Sequence, residues 1–283
     1  MKEKIYELIK ERNPWLLKNN FISKTIYTLL KKYLKYEETV FVGDHIQSMT
    51  GEEAFNWLGG EYTSNASVEG LENIPKDGKF LIVSNHPMGA ADAIALYHQI
   101  YPVRNDLFFF ANELFVYLLG AFHELLAPVV WNKEKETHSA SKVTLERLSV
   151  FFGDDRPGII FPSGRLSKLT FLGLWDRPWE KTPIALAKKY NFPLIPVYVE
   201  GRNSWFFYFA SYVNKQLRDI SQLNELFNKR EKEMSIKIGK PVNVYTLNDN
   251  TDIAIGQMRY KSESLRKKSV LKLNRFLYLR NFK

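Results

Sequence analysis

From about residue 70 onward, short runs rich in β-branched and aromatic residues alternate with amphipathic stretches, and this alternation leaves few architectures open. The β-rich runs fall at Phe80–Ser84, Leu107–Ala111, Pro128–Trp131, Gly158–Pro162, Leu194–Val199 and Ser235–Ile238. Between most of them lie stretches with helical periodicity, clearest over Ala90–Ile100, Ser139–Phe152 and Thr182–Tyr190. Parallel neighbouring strands need a long crossover between them, and a helix supplies it. The pattern therefore predicts an α/β fold, a single domain whose largely parallel central sheet is flanked by helices. The stretch Trp205–Glu233 reads as helical, and the tail after Ile253 as a basic helix. Three regions are expected: an N-terminal helical extension over residues 1–50, the main domain over 51–250, and a basic helical tail over 251–283.

With 283 residues, of which 45% are hydrophobic, the chain can bury a sizeable core. It has no cysteine, which excludes disulfides, thiolate metal sites and a cysteine nucleophile. The first residues, MKEKIYELIKERN, mix acids and bases without an apolar run, so a secretory signal is not expected. The net charge of +9 is concentrated at the two ends, around a mildly acidic centre. Such ends suit an anionic surface, whether lipid, an acidic carrier protein or nucleic acid, and they also suit plain solubility.

Residues 21–36 place Ile22, Ile26, Leu29, Leu30, Tyr33 and Leu34 at helical spacing, with Lys24, Lys31, Lys32 and Lys35 between them. That is a basic amphipathic helix, which can lie in a lipid interface or pack as an ordinary surface helix. The segment Leu107–Trp131 is long enough to span a bilayer, but it contains Glu113, His123 and Glu124. Each charge near the centre of a span costs roughly 2.5–3.5 kcal/mol, so strand, helix, strand is the expected reading.

The segment FLIVSNHPMGAADAIAL (80–96) carries the most chemistry. An apolar strand ends at Ser84, Asn85-His86-Pro87 turns, and a helix starts at Ala90. Ligands of open α/β sheets bind beyond the carboxyl ends of the strands. Asp92 follows His86 closely enough for its carboxylate to fix the imidazole and stabilise its protonated form. His86 is thereby a candidate general base toward a hydroxyl. A His and an Asp at this spacing also occur as a helix cap or a satisfied core histidine.

NHPMGAAD resembles the first block of the glycerolipid acyltransferase superfamily, an Asn-His followed by a nearby Asp. Most of that superfamily has four residues between His and Asp. Here there are five, Pro87 to Ala91, as in the hemolysin-like branch with N-H-P-L-G-G-x-D. GIIFPSGRLSK (158–168) resembles the third block, F-P-E-G-T-R in most members and F-P-A-G-E-x-S-R in the branch. PLIPVYVEGRNSWFFY (193–208) resembles the branch's V-P-V-x-x-x-G-R-N-S segment, and APVVWNK (127–133) loosely resembles the second block. Four blocks in order are far more specific than one. The chain departs from the pattern at Ser163, where a Glu is usual, and at Leu166, where an Arg is usual.

The resemblance implies an acyltransferase that moves a fatty acyl group from an acyl thioester to a hydroxyl of a lyso-lipid. In the branch that acceptor is a monoacylated ornithine or glycine lipid. His86 and Asp92 are the implied catalytic pair, and Asn85, Ser163, Gly164, Arg165, Lys168, Arg202 and Asn203 the implied substrate contacts. Backbone N–H groups around Gly164 are candidates for the oxyanion. Lys24, Lys31, Lys32 and Lys35 would meet an anionic membrane surface. The resemblance implies no cofactor and no metal, an acyl carrier protein or coenzyme A thioester as donor, and a cytoplasmic location on the inner face of the membrane. No nucleic acid is expected, because no recognised nucleic-acid module occurs. Three other readings stay open: a lysophosphatidate acyltransferase, a hydrolase with water replacing the lipid hydroxyl, and a basic binding protein without catalysis.

Overall fold

Strands β1 (Ala66–Glu69), β2 (Leu81–Ser84), β3 (Phe108–Asn112), β4 (Leu126–Val129), β5 (Gly158–Ile160), β8 (Leu194–Glu200) and β9 (Met234–Ile238) pair into one sheet. Between β5 and β8, β6 (Lys168–Thr170) and β7 (Gly173–Trp175) form a separate antiparallel hairpin. The computed structural model describes residues 1–12, 14–33, 35–112, 120–129, 138–171, 173–213 and 215–266. The spatial order of the sheet is β1-β9-β8-β2-β5-β3-β4, and every pairing is parallel except β8 with β9. This is the predicted architecture.

The helices are α1 (Lys2–Arg12), α2 (Phe21–Tyr33), α3 (Tyr36–His45), α4 (Gly51–Tyr62), α5 (Ala90–Ile100), α6 (His138–Gly153), α7 (Thr182–Tyr190), α8 (Trp205–Val213), α9 (Lys215–Phe227) and α10 (Thr251–Glu263). They lie on both sides of the sheet because successive side chains of a buried strand face opposite ways. In β2, Ile82 joins Phe55 and Leu58 of α4 and Ile94 and Tyr97 of α5 in one core layer. Leu81 and Val83 join Phe152 of α6, Ile184 of α7 and Met258 of α10 in the other. The cap of α4 is explicit in the sequence: the Thr50 side chain accepts from the Glu53 N–H, and the Glu53 carboxylate accepts from the Thr50 N–H.

Several sequence expectations shift. The run expected at Pro128–Trp131 pairs two residues earlier, from Leu126, and residues 130 and 131 lie outside the described residues. The stretch Trp205–Glu233 is not one helix but α8, α9 and a short 3-10 turn at Asn228–Glu231. The helix expected over 21–36 ends at Tyr33, and Lys35 takes a left-handed conformation (φ 47°) that turns the chain into α3. The N-terminal region also reaches the core, where Val42 and Ile46 are buried. Strand β1 and the β6–β7 hairpin were not anticipated. Of the tail, α10 is described and residues 267–283 lie outside the described residues. Among the described residues no helix is long and apolar enough to cross a membrane.

Candidate active site

The carboxyl ends of the three adjacent parallel strands β5, β2 and β8 lie at one edge of the sheet. The segments leaving them are Phe161–Arg165, Asn85–Gly89 and Gly201–Ser204. Three of the four motif blocks therefore converge where an open α/β sheet binds ligands.

His86 sits on the turn after β2, its side chain about 20% exposed, and its Nδ1 lies 2.9 Å from Oδ2 of the fully buried Asp92. The approach is bent away from the line of a ring N–H, so the contact is chiefly an electrostatic pairing. Asp92 is fixed independently: its Oδ2 accepts the backbone N–H groups of Met88 (2.9 Å) and Gly89 (3.0 Å) at the start of α5. Gly89 makes this turn possible, because its φ of 83° is reached readily only without a side chain. The Phe161 ring stacks on the imidazole with centroids 4.0 Å apart and 21° between planes. The His86 backbone is held on both sides, its carbonyl by the Ser167 N–H at 2.8 Å and its own N–H by Asp176 at 3.4 Å. Nδ1 faces Asp92, so Nε2 is the nitrogen that can take a proton from a hydroxyl.

The other expected contacts separate into two groups. Arg165, Lys168 and Arg202 are exposed, and the Arg202 guanidinium lies over the Trp205 ring at 5.7 Å. Asn85 and Asn203 are buried: both polar ends of the Asn85 amide have backbone partners, whereas Asn203 has a partner on Oδ1 and none on Nδ2 among the described residues. The Asn85 amide nitrogen donates to the Val199 carbonyl (2.8 Å), and its oxygen accepts from the Val199 N–H (2.7 Å). Asn203 accepts from the Lys229 ammonium at 2.8 Å through Oδ1, and its backbone N–H donates to the Tyr208 hydroxyl at 3.1 Å. The buried Ser163 hydroxyl donates to the Arg165 carbonyl at 2.7 Å. Gly164 turns the chain with φ 58°, and its N–H donates to the Phe161 carbonyl at 2.9 Å. That N–H is thus engaged within the turn itself.

Residues 22–277 match the family model described as acyltransferase. The chain belongs to that family. Two curated relatives are both named lyso-glycine lipid O-acyltransferase. The one from Phocaeicola vulgatus is 29% identical over 233 residues, covering 80% of this chain and 81% of its own. That from Bacteroides thetaiotaomicron is 29% identical over 229 residues, covering 78% and 82%. A solved structure, the 1-acyl-sn-glycerophosphate acyltransferase of Thermotoga maritima, aligns with 86% of this chain and 96% of its own at 18% identity and a TM-score of 0.49.

Sequence reading missed three buried charged residues of the acyltransferase, Asp176 at the His86 turn and the Lys229–Glu225 pair at the Gly201–Ser204 segment. Asp176 is buried, accepting from the Ser167 hydroxyl (2.8 Å) and the Trp179 indole (2.6 Å). Burial pushes its carboxyl above the usual range against the pull of those two hydrogen bonds. Its place in LWDRPW, between two tryptophans, was the available signal. Lys229 and Glu225 are also buried, with Nζ 3.5 Å from Oε2. Burial pulls the Lys229 ammonium down to about 8 against the opposing effect of Glu225. In sequence they form an i,i+4 pair of a kind common on solvated helix faces.

Proposed function

We propose that the acyltransferase moves a fatty acyl group from an acyl thioester onto the hydroxyl of a lyso-lipid, and that the acceptor is a monoacylated glycine lipid. The observation that carries this reading is the partly exposed His86 imidazole, held against a buried carboxylate at the ligand-binding edge of the sheet. The names of the two curated relatives support the choice of acceptor. His86 Nε2 takes the hydroxyl proton as the oxygen attacks the thioester carbonyl, and Asp92 stabilises the imidazolium. The C–O bond forms, the C–S bond breaks, and the departing thiolate receives the proton from His86. Water in place of the lipid hydroxyl would make the same site a hydrolase.

The exposed cations Arg165, Lys168 and Arg202 suit a carboxylate on the acceptor or the phosphates of an acyl carrier protein or coenzyme A donor. The decisive assay supplies labelled acyl carrier protein or acyl-CoA with lyso-glycine, lyso-ornithine and lysophosphatidate acceptors. Label in a diacyl glycine lipid is the expected result. Label only in phosphatidate would overturn the acceptor, and free fatty acid alone would replace the reading by hydrolysis. In the same assay Arg165→Gln and Arg202→Gln should raise KM for the acceptor or the donor about tenfold, the loss of one charge-assisted hydrogen bond being about 1.5–3 kcal/mol. Unchanged KM values for both substrates in both variants would remove these residues from substrate binding.

The same reading extends to the membrane. Helix α2 exposes Phe21, Ile22 and Leu29 together with Lys24 and Lys32, while Lys31 lies 4.2 Å from the Tyr36 ring centroid and Lys35 pairs with Glu38 at 3.6 Å. Tyr33 at the end of α2 packs on Phe206, with ring centroids 4.2 Å apart. Since Phe206 follows the Gly201–Ser204 segment, α2 lies near the site. Peripheral attachment to the anionic inner face of the cell membrane would bring the acceptor to His86 without extracting it from lipid. Ile22→Asp with Leu29→Asp should weaken binding to phosphatidylglycerol vesicles by roughly tenfold or more, since each buried aliphatic side chain contributes about 1.5–3 kcal/mol. Equal co-sedimentation of variant and parent would refute α2 as the anchor.

A further inference from the structure

We propose that Lys229, charge-balanced by Glu225, is a positioning residue that clamps the Gly201–Ser204 segment against Met88 in the turn between His86 and Asp92. The inference rests on His86 acting as the base in the reading above.

The clamp follows from contacts that converge on one short segment. The Lys229 ammonium donates to the Arg202 carbonyl at 3.1 Å and to Asn203 Oδ1 at 2.8 Å. Glu225 accepts from the Ser204 N–H at 2.8 Å through Oε2, and its Oε1 accepts from the Ser204 hydroxyl. Three successive residues after β8 are therefore fixed by two charged side chains, 1% and 0% exposed, from α9 and the turn that follows it. A buried ion pair adds little stability over an apolar pair of the same shape, because desolvation offsets its attraction. What the pair does here beyond that balance is fix the backbone and side chains of the segment it touches.

Gly201 opens that segment and lies flush against Met88, so that a Cβ on Gly201 would stand 2.5 Å from the Met88 sulfur. The Met88 N–H is one of the two donors that fix Asp92 Oδ2, and Oδ2 faces His86. Displacement of Gly201 therefore reaches Asp92 through the Met88 side chain and one hydrogen bond, and the imidazole through the Asp92 carboxylate that faces it. A second route runs through the sheet: Val199, two residues before Gly201, holds both polar ends of the Asn85 amide beside His86. Catalysis is sensitive to such support, because small displacements of a reacting group cost large factors in rate.

The test uses the full-length protein with Lys229→Met and Glu225→Gln combined. Glu225→Gln keeps the side-chain shape and Lys229→Met keeps all but the terminal atom of an unbranched chain, and the double variant leaves neither member of the pair as an unpaired buried charge. Lys229→Met alone should unfold at lower urea concentration, with Glu225 left uncompensated, and the double variant should recover. The first readout is the His86 Cε1–H NMR signal, assigned by its absence in His86→Ala. In the double variant this signal should move while those of His45 and His98 stay in place. The second readout is kcat for acyl transfer, expected to fall tenfold or more with KM within twofold of the parent. A stable double variant with an unmoved His86 signal, or with parental kcat, would overturn the clamp and leave the pair a packing feature. If the parent fails to acylate a lyso-glycine lipid, the acceptor reading falls, and the NMR signal still decides the clamp.

Discussion

His86→Ala is expected to lower acyl transfer by about 10³-fold, within the roughly 10²–10⁴ that a positioned general base contributes. The fold should survive, since the imidazole is partly exposed and lies stacked on the Phe161 ring at the carboxyl edge of the sheet. Asp92→Asn should fall into the same range for a different reason. The amide oxygen can still accept from the Met88 and Gly89 N–H groups, so the turn is kept, but the negative charge facing Nδ1 is gone. An imidazolium formed in the transition state then lacks its counter-charge in a site where Asp92 is fully buried and the attraction is only weakly screened. Thioester consumption under saturating substrate measures the loss, and circular dichroism with urea unfolding verifies the fold. A His86→Ala protein with more than a tenth of parental activity would remove His86 from the chemistry.

That prediction could be framed from sequence because the feature behind it is local. His86 and Asp92 are six residues apart across a strand end, a Pro-Met-Gly turn and the first turn of a helix, and each of these has a signature. The parallel sheet was legible for a related reason. Strands buried on both faces read as continuous apolar runs, and FLIV and GIIF are such runs. Strand β1 was not legible. Among the described residues Ala66–Glu69 lies at the sheet edge, paired with β9 alone, and a half-exposed ASVE has no apolar run to announce it. The hairpin Lys168–Trp175 escaped because its pairing depends on the fold around Asp176 more than on alternation. The supporting charges were the least visible part. Whether Lys229 faces solvent or is enclosed behind Asn203 is decided by packing between segments far apart in sequence, and helical spacing is the same in both cases.

Asn85→Ala is expected to cost about 3–5 kcal/mol, because it orphans the Val199 N–H and C=O and each unmet buried backbone group costs about 1–3 kcal/mol. The position explains the size of the effect. Backbone pairing of β2 with β8 ends at Ser84 opposite Val197, since β2 turns away toward His86 while β8 continues to Glu200. The Asn85 amide, with a donor and an acceptor set like those of a peptide group, adds the next rung to Val199. The Asn of the Asn-His motif thus lets one strand leave the sheet early, opening the site, without leaving its neighbour's polar groups unpaired. Asn85→Asp should not rescue it: one oxygen can still accept from the Val199 N–H, but the other meets the Val199 carbonyl, oxygen against oxygen, in a buried place. Against a total stability of about 5–15 kcal/mol, both variants should show a clearly lower urea midpoint. They should lose activity in proportion to the folded fraction, together with whatever loosening of the His86 turn persists in the folded state. An Asn85→Ala protein with the parental urea midpoint and a raised KM would instead make Asn85 a substrate contact, with the Val199 groups satisfied by water.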